Sequence, residues 1–397
     1  MVKHILNIIY LFIYWITWIF PKDKNLFVFG SAKGIHFSDN SKYLFLYLIN
    51  KKDNIRKQCY WITKNKELVI WLKKNKLPCL YYYSFFGLYK FLRAKTIIIS
   101  YNLNNVIKIL IGGKKVINLW HGVPLKKIGY DADDIKKKSI NIRYWLKWLW
   151  AHVAPFQYYA FCHEIICTSK NMLPYYHSAF RISKPKIIIS GQPRNDILSS
   201  KYIFKSELFP EIQFLKQIKT KNQIIVSWLP TYRKETPIET IYFNSKTFLN
   251  VLFDFFAEND MKLIIKPHHA ERGLIKKAIY GKRNVIMYKF VDPYPLLRYT
   301  DVLITDYSSI FFDYLLLNRQ IIFNPFDYDE YSKTVGFNID YMQNTPGPKC
   351  MNWEEVTNEL KNRQNDSFNE FRQKIKKYVF KYDDFNSCKR IQKLYFS

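Results

Sequence analysis

Three short stretches carry the side chains that could do chemistry on an anion. They are Pro230-Thr-Tyr-Arg233-Lys234, Lys266-Pro-His268-His269 with Arg272 close behind, and Thr305-Asp-Tyr-Ser308-Ser309. Arginine, lysine and histidine offer charge-assisted N–H donors to phosphate oxygens. Ser308 and Ser309 stand before the apolar run 310–317, where a helix start would present unpaired backbone N–H groups to a phosphate. Asp313, one turn further in, could take a ribose hydroxyl, as the acidic residue of other nucleotide folds does. Plain helix capping by the serines is the competing reading. A fourth stretch differs in kind: Asn118-Leu-Trp120-His121-Gly122-Val-Pro124 places one imidazole where a strand is expected to become a helix. A helix start disfavours imidazolium, so His121 would stay neutral, the form a general base needs. Gly122 leaves room for a ligand, and Gly30-Ser31 could touch one as well.

These residues share a position in the pattern, since each group follows a short β-rich run. Such runs occur at 26–30, 60–63, 80–83, 96–100, 115–119, 164–168 and 186–190, and again at 223–228, 262–266, 284–288, 301–305 and 320–323. Stretches of helical length separate them, which predicts parallel sheets with helices on both faces. Ligands of such sheets bind beyond the carboxyl ends of the strands. The expected fold class is therefore α/β, with two doubly wound parallel-sheet domains facing a cleft. The boundaries read as a membrane-associating segment at 1–22, a first α/β domain at 23–198, a charged linker at 199–222, and a second α/β domain with C-terminal helices at 223–397.

Composition narrows the partners. The 397 residues are 48% hydrophobic, which excludes general disorder. The formal net charge of +30 favours an anionic partner, whether membrane surface, phosphate-rich polymer or nucleic acid. Because the lysines are scattered rather than gathered in a tail, a nucleic-acid-binding arm is not indicated. A non-enzymatic polyanion-binding or membrane-binding module remains as the contrasting class. The six cysteines show no Cys-x-x-Cys pairing, which suggests a reducing compartment.

Residues 5–20 contain no charge and crowd together Tyr10, Phe12, Tyr14, Trp15, Trp18 and Phe20. The run is shorter than the about twenty residues of a span, and aromatic residues favour the headgroup boundary. An interfacial anchor with Lys3, Lys22 and Lys24 toward anionic lipid is the reading adopted, against a buried core helix or a single span. Arg143-Tyr-Trp-Leu-Lys-Trp-Leu-Trp is a second stretch suited to lipid or to packing. Asp131-Ala-Asp133 and Asp327-Tyr-Asp329 have the spacing of a cation motif, but no metal or other cofactor is expected.

The segments NLWHGVPLKKIGYD (118–131), GQPRND (191–196), WLPTYR (228–233), IIKPHH (264–269), TDYSSIFFDY (305–314), IIFNPFDYDEY (321–331) and PGP (346–348) resemble, in order, the CDP-glycerol glycerophosphotransferase family, the primases and polymerases of teichoic acid and related capsule polymers. The resemblance implies a GT-B-like fold and peripheral or monotopic attachment to the cytoplasmic face of the cell membrane. It also implies transfer of glycerol phosphate from CDP-glycerol to a lipid-linked acceptor, with release of CMP. The family's two key histidines fall on His121 and His268; His269 stands where relatives often carry Pro. On this reading His121 deprotonates the acceptor hydroxyl. His268 serves with Arg233, His269, Arg272, Thr305, Ser308, Ser309 and Asp313 on the donor side, and Gly30, Ser31, Trp120 and Gly122 lie on the acceptor side. A CDP-ribitol or other polyol-phosphate transferase and a GT-B nucleotide-sugar glycosyltransferase are the alternatives on the same fold.

Overall fold

The computed structural model describes residues 2–51, 55–136, 153–157, 161–202, 205–219, 223–233, 241–242, 246–268 and 271–396. His269 and the tryptophan-rich stretch 143–150 lie outside them. The chain divides into two compact units. One comprises residues 1–121, 128–196 and 384–397, and the other residues 122–127 and 197–383.

The first unit is built on a seven-stranded sheet. Its strands are β1 (Asp23–Gly30), β2 (Cys59–Thr63), β3 (Cys79–Tyr81), β4 (Ala94–Ile99), β5 (Lys115–Asn118), β6 (Glu164–Cys167) and β7 (Ile187–Ile189). They pair in parallel in the order β3-β2-β1-β4-β5-β6-β7. Period-two alternation sends Leu26 and Val28 of β1 into a core with Ile62, Leu80, Ile97, Ile99 and Val116. Phe27 and Phe29 point to the opposite face, where Phe396 lies 4.3 Å and 6.4 Å from their ring centroids. The C-terminal helix Ser387–Tyr395 therefore belongs to the first unit although residues just before it belong to the second.

The second unit holds a five-stranded parallel sheet: β8 (Ile224–Leu229), β9 (Met261–Ile265), β10 (Val285–Met287), β11 (Val302–Thr305) and β12 (Gln320–Phe323). Its order is β10-β9-β8-β11-β12. Trp228 and Trp353, both fully buried, meet edge to face at 4.8 Å in the core. All twelve runs read from the sequence are strands in these two sheets. The expected linker 199–222 is different: Pro210–Ile218 is a helix that buries Ile212 and Leu215, and the second unit already begins at Ile197. Its polar outer face of Gln213, Lys216 and Gln217 masked the apolar inner one.

The N-terminal helix runs from Val2 to Ile16. Tyr14 is buried against Phe156 at 5.4 Å, and Gly112 lets the helix approach, since a Cβ there would stand 2.4 Å from the Tyr14 carbonyl. The opposite face remains exposed at Leu6, Ile8, Ile9, Phe12 and Trp15. Among the described residues no helix is long and apolar enough to cross a membrane.

Candidate active site

A doubly wound sheet opens a ligand crevice where its strand order reverses, and in the second unit that point lies between β8 and β11. Thr305 pairs with Leu229 there, so the chain leaves both strands side by side. Asp306 closes the gap by accepting from the Thr231 N–H at 2.9 Å. Its carboxylate also accepts from Arg233 Nη1 at 2.8 Å and Tyr242 Oη at 2.7 Å. Arg233 then reaches Asp327, with Nε donating to Oδ2 at 2.6 Å and Nη2 to Oδ1 at 2.8 Å. The guanidinium lies 5.2 Å from the ring centroids of both Tyr307 and Tyr331. Burial alone would lower the Arg233 pKa; Asp306 above all, with Tyr242 and Asp327, reverses this and holds it above its ordinary value. Arg233 is thus the hub of a buried ion network rather than an open phosphate ligand. Asp327, half of one candidate cation motif, is taken up by the same network.

Beyond β9 the chain presents Lys266 and His268. Burial first and Arg272 second, against Asp292, lower the Lys266 pKa to about 8. The His268 imidazole is half-buried and stacks on Tyr232 with centroids 4.1 Å apart and planes at 27°. Glu271 fixes the turn: its carboxylate accepts from the His268 N–H at 3.3 Å while its own N–H donates to the His268 carbonyl at 3.0 Å. Burial raises the Glu271 pKa, with that same hydrogen bond opposing. Arg272 opens the helix Arg272–Ala278 and is half-buried.

Ser308 and Ser309 are half-buried at the start of Ile310–Tyr314, a helix of five residues that continues as the 3-10 turn Leu315–Leu317. Ser309 makes no side-chain cap bond, and Ser308 Oγ accepts from the Ile310 N–H at 3.4 Å. Two residues expected to meet donor are spent on structure. Thr305 is buried and donates to the Leu229 carbonyl at 2.8 Å; Asp313 is fully buried and accepts from Tyr294 Oη at 2.7 Å. Their side chains hold strand to strand and helix to helix, away from solvent.

In the first unit His121 follows β5, but no helix starts there: the next one is Gly129–Lys136. Trp120 at φ +51° and the Pro124 that follows turn the chain into an irregular loop, so the expected helix-start effect on the imidazole is absent. The ring instead stands edge-on to Tyr101 at 4.6 Å and 84°, half-exposed. Trp120 is buried against Phe180 and belongs to the core rather than an acceptor surface. The switch point of this sheet, between β1 and β4, is plugged by the chain itself. A Cβ at Gly30 would meet the Asn105 carbonyl at 2.5 Å, and Ser31 is buried beside it. Gly30 and Ser31 serve close packing. Gly122 is buried and belongs with 122–127 to the second unit, where Asn338 Nδ2 donates to the Pro124 and Lys126 carbonyls and Lys126 Nζ to Tyr331 Oη at 3.1 Å.

Among the described residues no three His, Cys, Asp or Glu side chains gather as a metal site. Asp131, of the other candidate motif, accepts from Ser178 Oγ at 2.6 Å. All six cysteines are free.

Two parallel sheets with basic and imidazole side chains beyond their carboxyl ends define an α/β protein of the doubly wound class, suited to an anionic ligand. The sequence profile of the CDP-Glycerol:Poly(glycerophosphate) glycerophosphotransferase family matches residues 12–397, and the chain belongs to that family. It is 28% identical over 351 residues to a teichoic acid glycerol-phosphate transferase of Staphylococcus aureus, covering 85% of this chain and 84% of that protein. A teichoic acid poly(glycerol phosphate) polymerase of Bacillus spizizenii is 27% identical over 373 residues, covering 90% and 88%. The solved structure of the wall teichoic acid polymerase TagF shares the fold, with a TM-score of 0.75 at 22% identity over 100% of this chain and 95% of that one.

Sequence reasoning passed over Asp306, Tyr242 and Tyr232. Asp306 stands inside the Thr-Asp-Tyr-Ser-Ser segment, and an acidic residue directly after a strand facing a conspicuous Arg after its neighbour was the available signal. Nothing local marks Tyr242, nine residues after Arg233.

Proposed function

We propose that this chain transfers glycerol phosphate from CDP-glycerol to the hydroxyl of a membrane-lipid-linked acceptor, releasing CMP, in the synthesis of a teichoic acid or capsule-type polymer by a GT-B-like enzyme. The family match over residues 12–397 carries the reading. The site residues divide the work. The His121 imidazole takes the proton of the acceptor hydroxyl, whose oxygen bonds to the phosphorus next to glycerol. The bond from that phosphorus to the bridging oxygen breaks, and CMP leaves with the electron pair. Lys266, His268, Arg272, Ser308 and Ser309 hold the pyrophosphate and stabilise the charge gathering on CMP, with His269 available to the same group; such transfer depends on positioning and charge neutralisation. No resident cofactor enters the scheme.

The membrane reading rests on the apolar face of the helix Val2–Ile16 together with the exposed Lys24; the expected partner Lys22 is instead spent on the protein, its Nζ donating to the Thr17 carbonyl at 2.6 Å and the Leu92 carbonyl at 3.1 Å. On this reading, together with the family resemblance, the protein attaches peripherally or monotopically to the cytoplasmic face of the cell membrane. Flotation of the full chain with anionic and with neutral vesicles checks this. Equal recovery of wild type and an Ile8→Glu/Phe12→Glu variant with anionic vesicles would remove the helix from that role.

The decisive assay is CMP release from CDP-glycerol by detergent-solubilised protein, with and without a lipid-linked glycerol phosphate acceptor, in EDTA, with CDP-ribitol as a parallel donor. His121→Ala should lower acceptor-dependent turnover by at least about 10²-fold, the scale of a general base, while CDP-glycerol still binds. Loss of donor binding in that variant contradicts the assignment, and CMP from CDP-ribitol alone moves the donor class.

A further inference from the structure

We infer that Asn40 and Arg194 are positioning residues that hold the His121 loop in its working conformation. The inference rests on the reading of His121 as the base. Both side chains are buried, and both act on consecutive backbone carbonyls of that loop. Asn40 Nδ2 donates to the carbonyls of Leu119 at 3.1 Å and Trp120 at 2.8 Å. Arg194 Nη1 donates to the carbonyl of His121 itself at 2.6 Å and to Asp39 Oδ1 at 2.9 Å. The Arg194 main-chain N–H closes the set by donating to Asn40 Oδ1 at 3.0 Å. One amide and one guanidinium thus fix three carbonyls in a row, ending on the residue that carries the imidazole.

The loop needs such restraint. Trp120 sits at φ +51°, a conformation that is an outlier for a bulky side chain and needs its surroundings to hold it. Asn118 Oδ1 helps by accepting from the Trp120 N–H at 2.8 Å. Arg194 is itself anchored: two residues on, the Asp196 carboxylate accepts from the N–H groups of Ser387 at 2.9 Å and Cys388 at 2.8 Å, tying the turn to the C-terminal helix. No isostere of Asn40 repeats its pattern. Aspartate would set an oxygen against two carbonyls, and leucine would leave both without donors while stranding the Arg194 N–H.

The test compares the full-length wild type with Asn40→Ala, Asn40→Ser, Arg194→Met and Arg194→Lys in the CMP-release assay, beside CDP-glycerol binding by calorimetry and thermal unfolding. Misplacing the base by a fraction of an ångström to an ångström predicts a fall in kcat of roughly 10²-fold for Asn40→Ala and Arg194→Met, with the donor dissociation constant changed less than about twofold. Arg194→Lys, which keeps a cationic donor, should recover part of the loss. Because both residues act through His121, adding Asn40→Ala to His121→Ala should lower the residual rate by less than about threefold, far from the product of the single effects. If Arg194→Met does not fold, Asn40→Ser and Arg194→Lys carry the comparison. Wild-type kcat in folded Asn40 and Arg194 variants, or multiplicative effects with His121→Ala, overturns the inference and leaves the proposed function standing. Full activity in His121→Ala defeats the base assignment and this inference with it.

Discussion

Arg233→Met removes the cation from the network of the second unit and leaves two carboxylates behind. The Asp306 side chain is fully buried and that of Asp327 is 12% exposed. Taking one partner from a buried ion pair costs about 3–5 kcal/mol, and a second stranded carboxylate pushes toward the upper end. For a unit of this size each kcal/mol lowers the unfolding temperature by roughly 2–4 °C, so a fall of roughly 6–20 °C follows. Thermal unfolding followed by tryptophan fluorescence reads the second unit through the buried Trp228 and Trp353. Replacing Asp306 by Asn in the same variant should restore part of the loss. A shift equivalent to less than about 1 kcal/mol would refute the view of Arg233 as a structural hub.

Three further outcomes are expected. Lys266, with its pKa lowered to about 8, is cationic below that value and loses its charge as pH rises through it; the KM for CDP-glycerol should therefore climb above about pH 8 in wild type and stay flat in Lys266→Arg, as initial rates against donor concentration will show. Gly30→Ala puts a Cβ 2.5 Å from the Asn105 carbonyl, so urea unfolding should report a loss of about 1–3 kcal/mol in the first unit with donor binding unchanged. Burial first, then Lys22 and Lys95, lower the Lys114 pKa to about 6; since the unfolded chain binds that proton up to about pH 10, stability of the first unit should rise with pH above about 6, and Lys114→Met should flatten the slope in thermal scans across that range.

The strands were legible because parallel sheets bury both faces, and runs such as the Ile97-Ile98-Ile99 of β4 or the Ile321-Ile322-Phe323 of β12 admit little else. The loops after them were legible for the same reason: in a parallel sheet every strand ends at one edge, so Arg233, His268 and Ser308 could be grouped without coordinates. Helices were harder. The stretch 199–222 looked like a linker because charges scattered through it break up its apolar pattern, yet Ile212 and Leu215, three apart on one helix face, suffice to seat it. The helix expected after His121 failed on backbone grounds, since a residue at positive φ and a proline within four positions leave no room for a helical turn.

What sequence could not supply was the pairing among the polar residues, and pairing decides what a charge can do. Read alone, Arg233 is a cation waiting for phosphate. Folded, it faces Asp306 and Asp327, so the three together carry a net charge of one negative unit rather than one positive. An anionic donor gains nothing from such a cluster at long range. The attraction must come from Lys266 and Arg272, neither of which shares a salt bridge among the described residues, and from His268 set on Tyr232. The network's contribution is to fix geometry. By joining Thr231, Arg233, Asp306 and Asp327, it ties the loops after β8, β11 and β12 together at the switch point. The Ser308-Ser309 turn and the Tyr232 ring are each within two residues of one of those ties. A substitution in the network should therefore act on the donor site through stability and loop placement, whereas one at Lys266 should act through charge, and their salt dependence separates them: only the Lys266 effect should fade as ionic strength rises.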